Sequence, residues 1–203
     1  MKDLTYKTIK SEAQANYRVM ASKHLAYACP VRTETEIKSK LEALWKEHPQ
    51  ASHICYAWRI GWQKSHYRIN DDGEPSGTAG RPIFGQIQRF DLTNILIAVV
   101  RYFGGTKLGT SGLIDAYKIA SKLVLTGAEI VEIQVKDHLR LSFNHYDVPR
   151  MMKILKDLKM EKIRTNIELN CTIECLIKRS VRELFIEKTK DMDGLKIEFL
   201  EED

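Results

Sequence analysis

The chain has 203 residues, of which 43% are hydrophobic and 29% charged, with a formal net charge of +5. That composition fits one large globular domain or two small ones, and neither a tandem repeat nor a low-complexity segment is visible. No apolar run approaches membrane-spanning length, and Met1-Lys2-Asp3 lacks the apolar segment of a signal peptide, so a cytoplasmic address is expected. The mild positive charge permits contact with nucleic acid or ribosomes without demanding it.

In chain order, residues 4–9 read as an edge strand, and residues 23–31 as a second strand closed by Pro30. The stretch between them is polar. Thr33 is placed to cap a helix running to about His48, with Glu36 three residues on completing a capping box. Ile37, Leu41, Leu44 and Trp45 sit at helical spacing and are expected in the core. Residues 53–61 form a strand, and residues 64–69 can return as its hairpin partner. Trp58 and Trp62, with Lys64, His66 and Arg68, have the make-up of a basic and aromatic surface, although aromatic side chains on strands usually belong to the core.

Residues 71–82 follow, with Asp71, Asp72 and Glu74 among three glycines and two prolines. This is a shaped loop and not a flexible linker. Its carboxylates suit a hard cation or acid–base work, but the calcium-loop pattern fails and an Asp-rich turn is more often only a turn. No metal ligand set is assigned. Thr78 is expected to cap a short helix through about Phe90.

Next comes Ile95-Leu96-Ile97-Ala98-Val99-Val100, continuously apolar and rich in β-branched residues, as expected of a strand covered on both faces. It leads through Arg101 and Tyr102 into Gly104, Gly105, Gly109 and Gly112. A helix to about Thr126 follows, capped by Ser111 or Thr110 and stopped by Gly127. A helix start with unpaired N–H groups is a natural anion site. Arg101, Lys107, Arg81 and Lys118 stand around it in sequence. The loop ending is not a Walker loop, and the glycine spacing is not a dinucleotide fingerprint. Two readings stay open: a backbone-bound anion, or glycines that only permit a tight turn and close packing. In the second, Glu74 or Asp72 pairs with Arg101 or Lys107 and the basic groups are used internally.

Composition changes after Val135. Residues 139–144, 147–159, 162–169, 171–177, 180–190 and 195–200 read as strand, helix, strand, strand, helix and strand, the βαββαβ plan of ferredoxin-like domains. The boundary is placed near Lys136, giving domains 1–136 and 137–203. Cys29, Cys55, Cys171 and Cys175 include no close Cys-x-x-Cys pair and read as buried thiols in a reducing compartment.

Two motifs in order resemble the IMPACT/YigZ family. One is Asp71-Asp72-Gly73-Glu74-Pro75 with Gly77-Thr78-Ala79-Gly80 and Pro82. The other is Arg101-Tyr102-Phe103-Gly104-Gly105 with Lys107-Leu108-Gly109, Gly112-Leu113 and Ala116-Tyr117. Ser22-Lys23 and Cys55-x-Ala57-Trp58 agree with the same pattern. The resemblance implies an α+β protein of two domains. The first is like domain IV of translocating elongation factors, a ribosomal-protein second-domain-like fold, and the second is ferredoxin-like. Eukaryotic relatives regulate translation by competing for an activator of an initiation-factor kinase. For bacterial members the resemblance implies a nucleic-acid or ribosome contact, with no catalytic residue and no cofactor. Position 111 is Ser where relatives often have Gly, and position 115 is Asp where they often have a basic residue, which competes with an anion at the helix start.

The expected function is therefore non-enzymatic RNA or ribosome binding tied to translation or its stress control. Two alternatives stand beside it: a protein-binding regulator using the acidic loop as a docking edge, and a phosphate-loop enzyme acting on a small molecule.

Overall fold

The apolar run 95–100 lies in the middle of a five-stranded sheet, and the first half of the chain is arranged on its two faces. The computed structural model describes residues 4–168 and 170–200. Its strands and helices in the first half are β1 (Thr5–Ile9), β2 (Ala13–Val19), β3 (Ser22–Pro30), α1 (Glu34–Glu47), β4 (His53–Ile60), β5 (His66–Asn70), α2 (Gly80–Arg89), β6 (Ile95–Tyr102), α3 (Gly109–Gly127) and β7 (Ile130–Gln134). The large sheet has the order β2-β3-β6-β4-β5 with every neighbouring pair antiparallel, and β1 pairs with β7 separately.

Alternation on β6 sends Ile95, Ile97 and Val99 to the face covered by Ile83 and Ile87 of α2 and Leu113, Tyr117 and Val124 of α3. Leu96, Ala98 and Val100 face the other way, where Ile37, Leu41 and Leu44 of α1 pack with Tyr27, Ile54 and Trp58. An antiparallel sheet with helices on both faces thus explains the unbroken apolar run. Trp45, expected in the core, is instead an exposed residue of α1, because Ile37, Leu41 and Leu44 already fill the stripe facing the sheet.

Thr33 Oγ1 accepts the Glu36 amide at 3.2 Å, as the capping pattern requires, while the Glu36 carboxylate accepts from the Arg32 amide at 2.6 Å. The caps expected for the next two helices differ. Thr78 lies before α2 and donates to the Pro75 carbonyl, and no side chain at the N-cap position serves α2. Thr110 and Ser111 lie inside the first turn of α3, whose N-cap is Leu108, without a capping side chain. Two short strands were absent from the sequence reading. β2 sets Gln14, Asn16 and Arg18 outward and buries Ala13, Ala15, Tyr17 and Val19 only in part, and β7 is largely exposed.

The second half comprises β8 (Lys136–Asn144), α4 (Val148–Asp157), β9 (Glu161–Asn166), β10 (Asn170–Lys178), α5 (Arg182–Thr189) and β11 (Lys196–Leu200). This is the expected βαββαβ order, and the antiparallel sheet runs β11-β8-β10-β9. Its core holds Leu139, Leu141, Phe143, Met151, Leu155, Ile173, Cys175 and Phe185. The chain divides between Ile133 and Gln134, slightly before the expected Lys136, and Leu4 and Thr5 group with the second unit. The expected strand end at residue 169 and the charged residues 1–3 lie outside the described residues. No helix among the described residues is long and apolar enough to cross a membrane.

Ile97 has no exposed surface in the central strand. Ile97→Ala is expected to lower unfolding free energy by about 2–5 kcal/mol in urea titrations. A loss below about 1 kcal/mol would contradict the close packing on the α2–α3 face.

Candidate functional site

The two motifs of the sequence meet at one buried carboxylate. The loop after β5 is shaped first by Asp71, whose Oδ2 accepts the Gly77 amide at 2.8 Å and whose Oδ1 accepts the amides of Ala79 at 3.0 Å and Gly80 at 2.8 Å. Asp71 thereby caps α2 from nine residues upstream, the role expected of Thr78. Burial works to raise its pKa, but the three amide hydrogen bonds outweigh it and hold the carboxyl below the usual range. Asp72 accepts the Ile54 amide at 2.6 Å, and its own amide donates to Asn70 Oδ1 at 2.7 Å. Gly80 is required here, since a Cβ would lie 2.9 Å from the Asn70 nitrogen. Asp71 and Asp72 are therefore held by backbone amides. No group of three or more His, Cys, Asp or Glu with metal-binding geometry occurs among the described residues.

Glu74 turns inward from the same loop. Its Oε1 accepts from Arg101 Nη1 at 2.6 Å and from the Tyr117 hydroxyl at 2.8 Å, and its side chain is 4% exposed. Strand β6 supplies Arg101 and the buried face of α3 supplies Tyr117, so one carboxylate ties loop, strand and helix together. Cys55 Sγ lies 3.3 Å from the Tyr117 hydroxyl and 3.0 Å from the Asp71 carbonyl. Burial drives both the Cys55 thiol and the Tyr117 phenol upward, so both stay protonated. His53 donates through Nδ1 to the Asp72 carbonyl at 2.7 Å, with Nε2 4.0 Å from Glu74.

His24 completes the buried group. It faces Arg101 across the β3–β6 pair and meets the Tyr117 ring edge-on at 5.3 Å. Neither ring nitrogen has a hydrogen-bond partner among the described residues. Burial, then the nearby Arg101 charge, pushes its pKa down to about 4 against the weaker pull of Glu74. The ring is neutral at pH 7.

Arg101, expected as an anion ligand, is therefore internal: it is paired with Glu74, as in the packing reading of the glycine loop. Tyr102 is also directed inward, its hydroxyl 2.9 Å from His48 Nδ1. Gly104 is wedged against the β2–β3 turn, where a Cβ would stand 2.2 Å from the Ala21 carbonyl carbon. Gly105 and Gly109 take positive φ of 86° and 70°, and Gly112 lies against Leu108. Lys107, Ser111, Asp115, Lys118 and Arg81 are exposed. Of these, Arg81 reaches back over Gly77 toward Asp71, while Lys107 and Lys118 have no ion-pair partner among the described residues. The basic and aromatic strand resolves differently: Trp58 is buried, His66 pairs with Glu34, and Lys64 pairs with Asp91. All four cysteines are free and buried. No role in this buried cluster was expected of His24, His53, Cys55 or Tyr117, although Cys55 and Tyr117 stand in the family pattern. The period-two placement of His24, His53, Cys55 and Arg101 on three neighbouring strands is the signal that joins them.

Glu74→Gln leaves the Arg101 guanidinium buried without a counter-charge. It is expected to cost about 3–5 kcal/mol of unfolding free energy, of which Arg101→Met in the same chain restores a large part. Equal stability of Glu74→Gln and the parent protein in urea would show that the pair is not the tie described. His24 gives a pH signature. The unfolded chain binds a proton at this ring below about pH 6.5, the folded chain only below about 4. Stability from this residue is therefore complete above about 6.5 and declines, by on the order of 3 kcal/mol, as pH falls toward about 4. His24→Phe is expected to flatten that slope in unfolding curves taken between the two limits. An unchanged slope would mean that His24 titrates normally.

Comparison with known proteins agrees with this geometry. The sequence profile of the Impact N-terminal domain matches residues 20–125, the stretch that carries both motifs. The chain is 33% identical over 155 residues to the IMPACT family member YvyE of Bacillus subtilis, covering 76% of this chain and 70% of that one. It is 46% identical over 99 residues to the IMPACT family member in the pol 5' region of Thermus thermophilus, covering 49% of this chain and 52% of that one. A solved crystal structure of a hypothetical protein superposes over 100% of both chains with a TM-score of 0.73 at 23% identity, a likeness of fold. With the profile spanning more than half of the sequence and both motifs joined at Glu74, the chain belongs to the IMPACT family.

Proposed function

We propose that this protein is a non-enzymatic, cytoplasmic factor that binds RNA or the ribosome in the control of translation, and that the glycine loop with its flanking cations is the contact. The observation that supports this reading is a division of charge. Glu74 and Arg101 neutralise each other in the interior, whereas Lys107 and Lys118 stay exposed beside a helix start that no side chain caps. Cations without internal partners, next to first-turn amides, suit phosphate oxygens. The buried Cys55 and Tyr117 stay protonated, which leaves neither as an activated nucleophile and favours binding over catalysis. The acidic loop offers little to a docking partner, because Asp71, Asp72 and Glu74 are all engaged within the chain.

Co-sedimentation with purified ribosomes tests the reading. Retention is expected to fall steeply with added KCl, and Lys107→Glu is expected to weaken it at every salt concentration. Pelleting that ignores both salt and Lys107→Glu, or no pelleting at all, would sink the proposal.

A further inference from the structure

The contact at Gly104 joins two segments that lie far apart in sequence. The Gly104 amide donates to Ser22 Oγ at 3.1 Å, and its missing Cβ makes room for the backbone of Ala21 and Ser22. The β2–β3 turn and the loop that begins at Phe103 therefore form one tip at this end of the sheet. Serine at position 22 is itself fully buried.

That tip is built against local preference in three ways. Its two-residue hairpin turn is Met20-Ala21, with φ of 46° and 61°. Turns of this left-handed kind favour Asn and Gly, since a Cβ crowds the backbone there. Met20 is 62% exposed and Phe103 48%, so each of the two segments joined at Gly104 carries a large apolar side chain that faces water. Arg18 and Lys23 stand directly opposite each other across the β2–β3 pair, with no acidic partner for either among the described residues. Like charges at opposed positions weaken a strand pair. Neither segment of the tip, 18–23 or 101–109, contains an acidic residue. The Arg101 guanidinium lies 5.6 Å from the Phe103 ring centroid and adds a cation–π contact that orients the ring.

The last two of these costs are removed by one kind of ligand. A polyanion relieves the opposed cations, and unstacked bases cover Phe103 and Met20. Apolar wedges of this type part base steps, and aromatic side chains carry splayed RNA bases. We propose that Met20 and Phe103 form a stacking wedge for unpaired bases of a folded RNA, with Arg18, Lys23 and Lys107 on the flanking phosphates. The proposal rests on the RNA-binding reading above and extends it to the β2–β3 turn and to base contact, beyond phosphate attraction.

Binding of deproteinised ribosomal RNA, followed by fluorescence anisotropy over a range of KCl concentrations, separates the two. Phe103→Ala is expected to weaken binding about tenfold without changing the salt slope, and Phe103→Trp to restore it. Lys107→Glu is expected to weaken binding and to lower the salt slope by about one. Met20→Gly is expected to raise the melting temperature, because glycine relieves the turn, while it weakens RNA binding several-fold. Parent-like affinity in both Phe103→Ala and Met20→Gly, with Lys107→Glu still weakened, overturns the wedge and leaves the RNA reading in place. A loss in Phe103→Ala that Phe103→Trp fails to restore also overturns it. Absence of any ribosomal RNA binding by the parent protein overturns the underlying reading, and the wedge with it; retained binding of an acidic protein in that case would redirect the tip to a protein surface.

Discussion

A single carboxylate, Glu74, holds the first half of this chain in its working shape. It leaves a surface loop, enters the interior between sheet and helix, and accepts hydrogen bonds from Arg101 and Tyr117. An ionised pair this deeply buried contributes little net stability when compared with apolar side chains of the same volume. Its effect is positional. Among the described residues Arg101 makes no other ion pair, so Glu74 fixes where the loop closes. The consequence is that the acidic motif and the glycine motif, whose Glu74 and Arg101 are 27 residues apart in sequence, are fixed to each other.

Around that tie, the remaining polar groups divide cleanly. Asp71 and Asp72 are saturated with backbone amides and act as internal caps. Cys55 and Tyr117 are kept protonated by burial, and His24 is kept neutral. The interior is a scaffold, and what it presents outward is the glycine loop with its cations and the neighbouring turn.

Much of this was legible in the sequence for physical reasons that are local. The β6 run declared its burial through an unbroken apolar sequence rich in β-branched residues, and Thr33 with Glu36 declared a helix start. The βαββαβ order of the second unit followed from local sequence pattern, strand by strand and helix by helix. What stayed hidden depends on distance in sequence. Asp71 caps a helix that starts nine residues later, so the nearer Thr78 looked like the cap. β2 half-buries one face only and has Val19 as its single β-branched residue, so it did not stand out as a strand. The fate of Arg101 was undecidable locally: the same residue serves an anion or a buried glutamate, and only the fold brings Glu74 within 2.6 Å.

The glycines illustrate how a loop serves packing and presentation at once. Gly104 lacks a side chain because the β2–β3 turn occupies that space, which is a packing requirement. Yet Gly105 and Gly109, with positive φ and open surroundings, relieve no crowding. They set the path of the backbone so that Phe103 and Lys107 emerge outward while Arg101, two residues before Phe103, stays inside. Alternation on β6 supplies the same sorting upstream: Arg101 and Tyr102 point to opposite faces of the sheet, toward Glu74 and His48 respectively. The strand thus delivers two polar side chains into the interior just before the loop exposes an aromatic ring and a cation. A chain that only needed a tight turn could have ended the strand with small polar residues. The exposed ring and the left-handed Met20-Ala21 turn stand in the two segments that the Gly104 contact joins, which puts that contact between the packed strands and the surface groups.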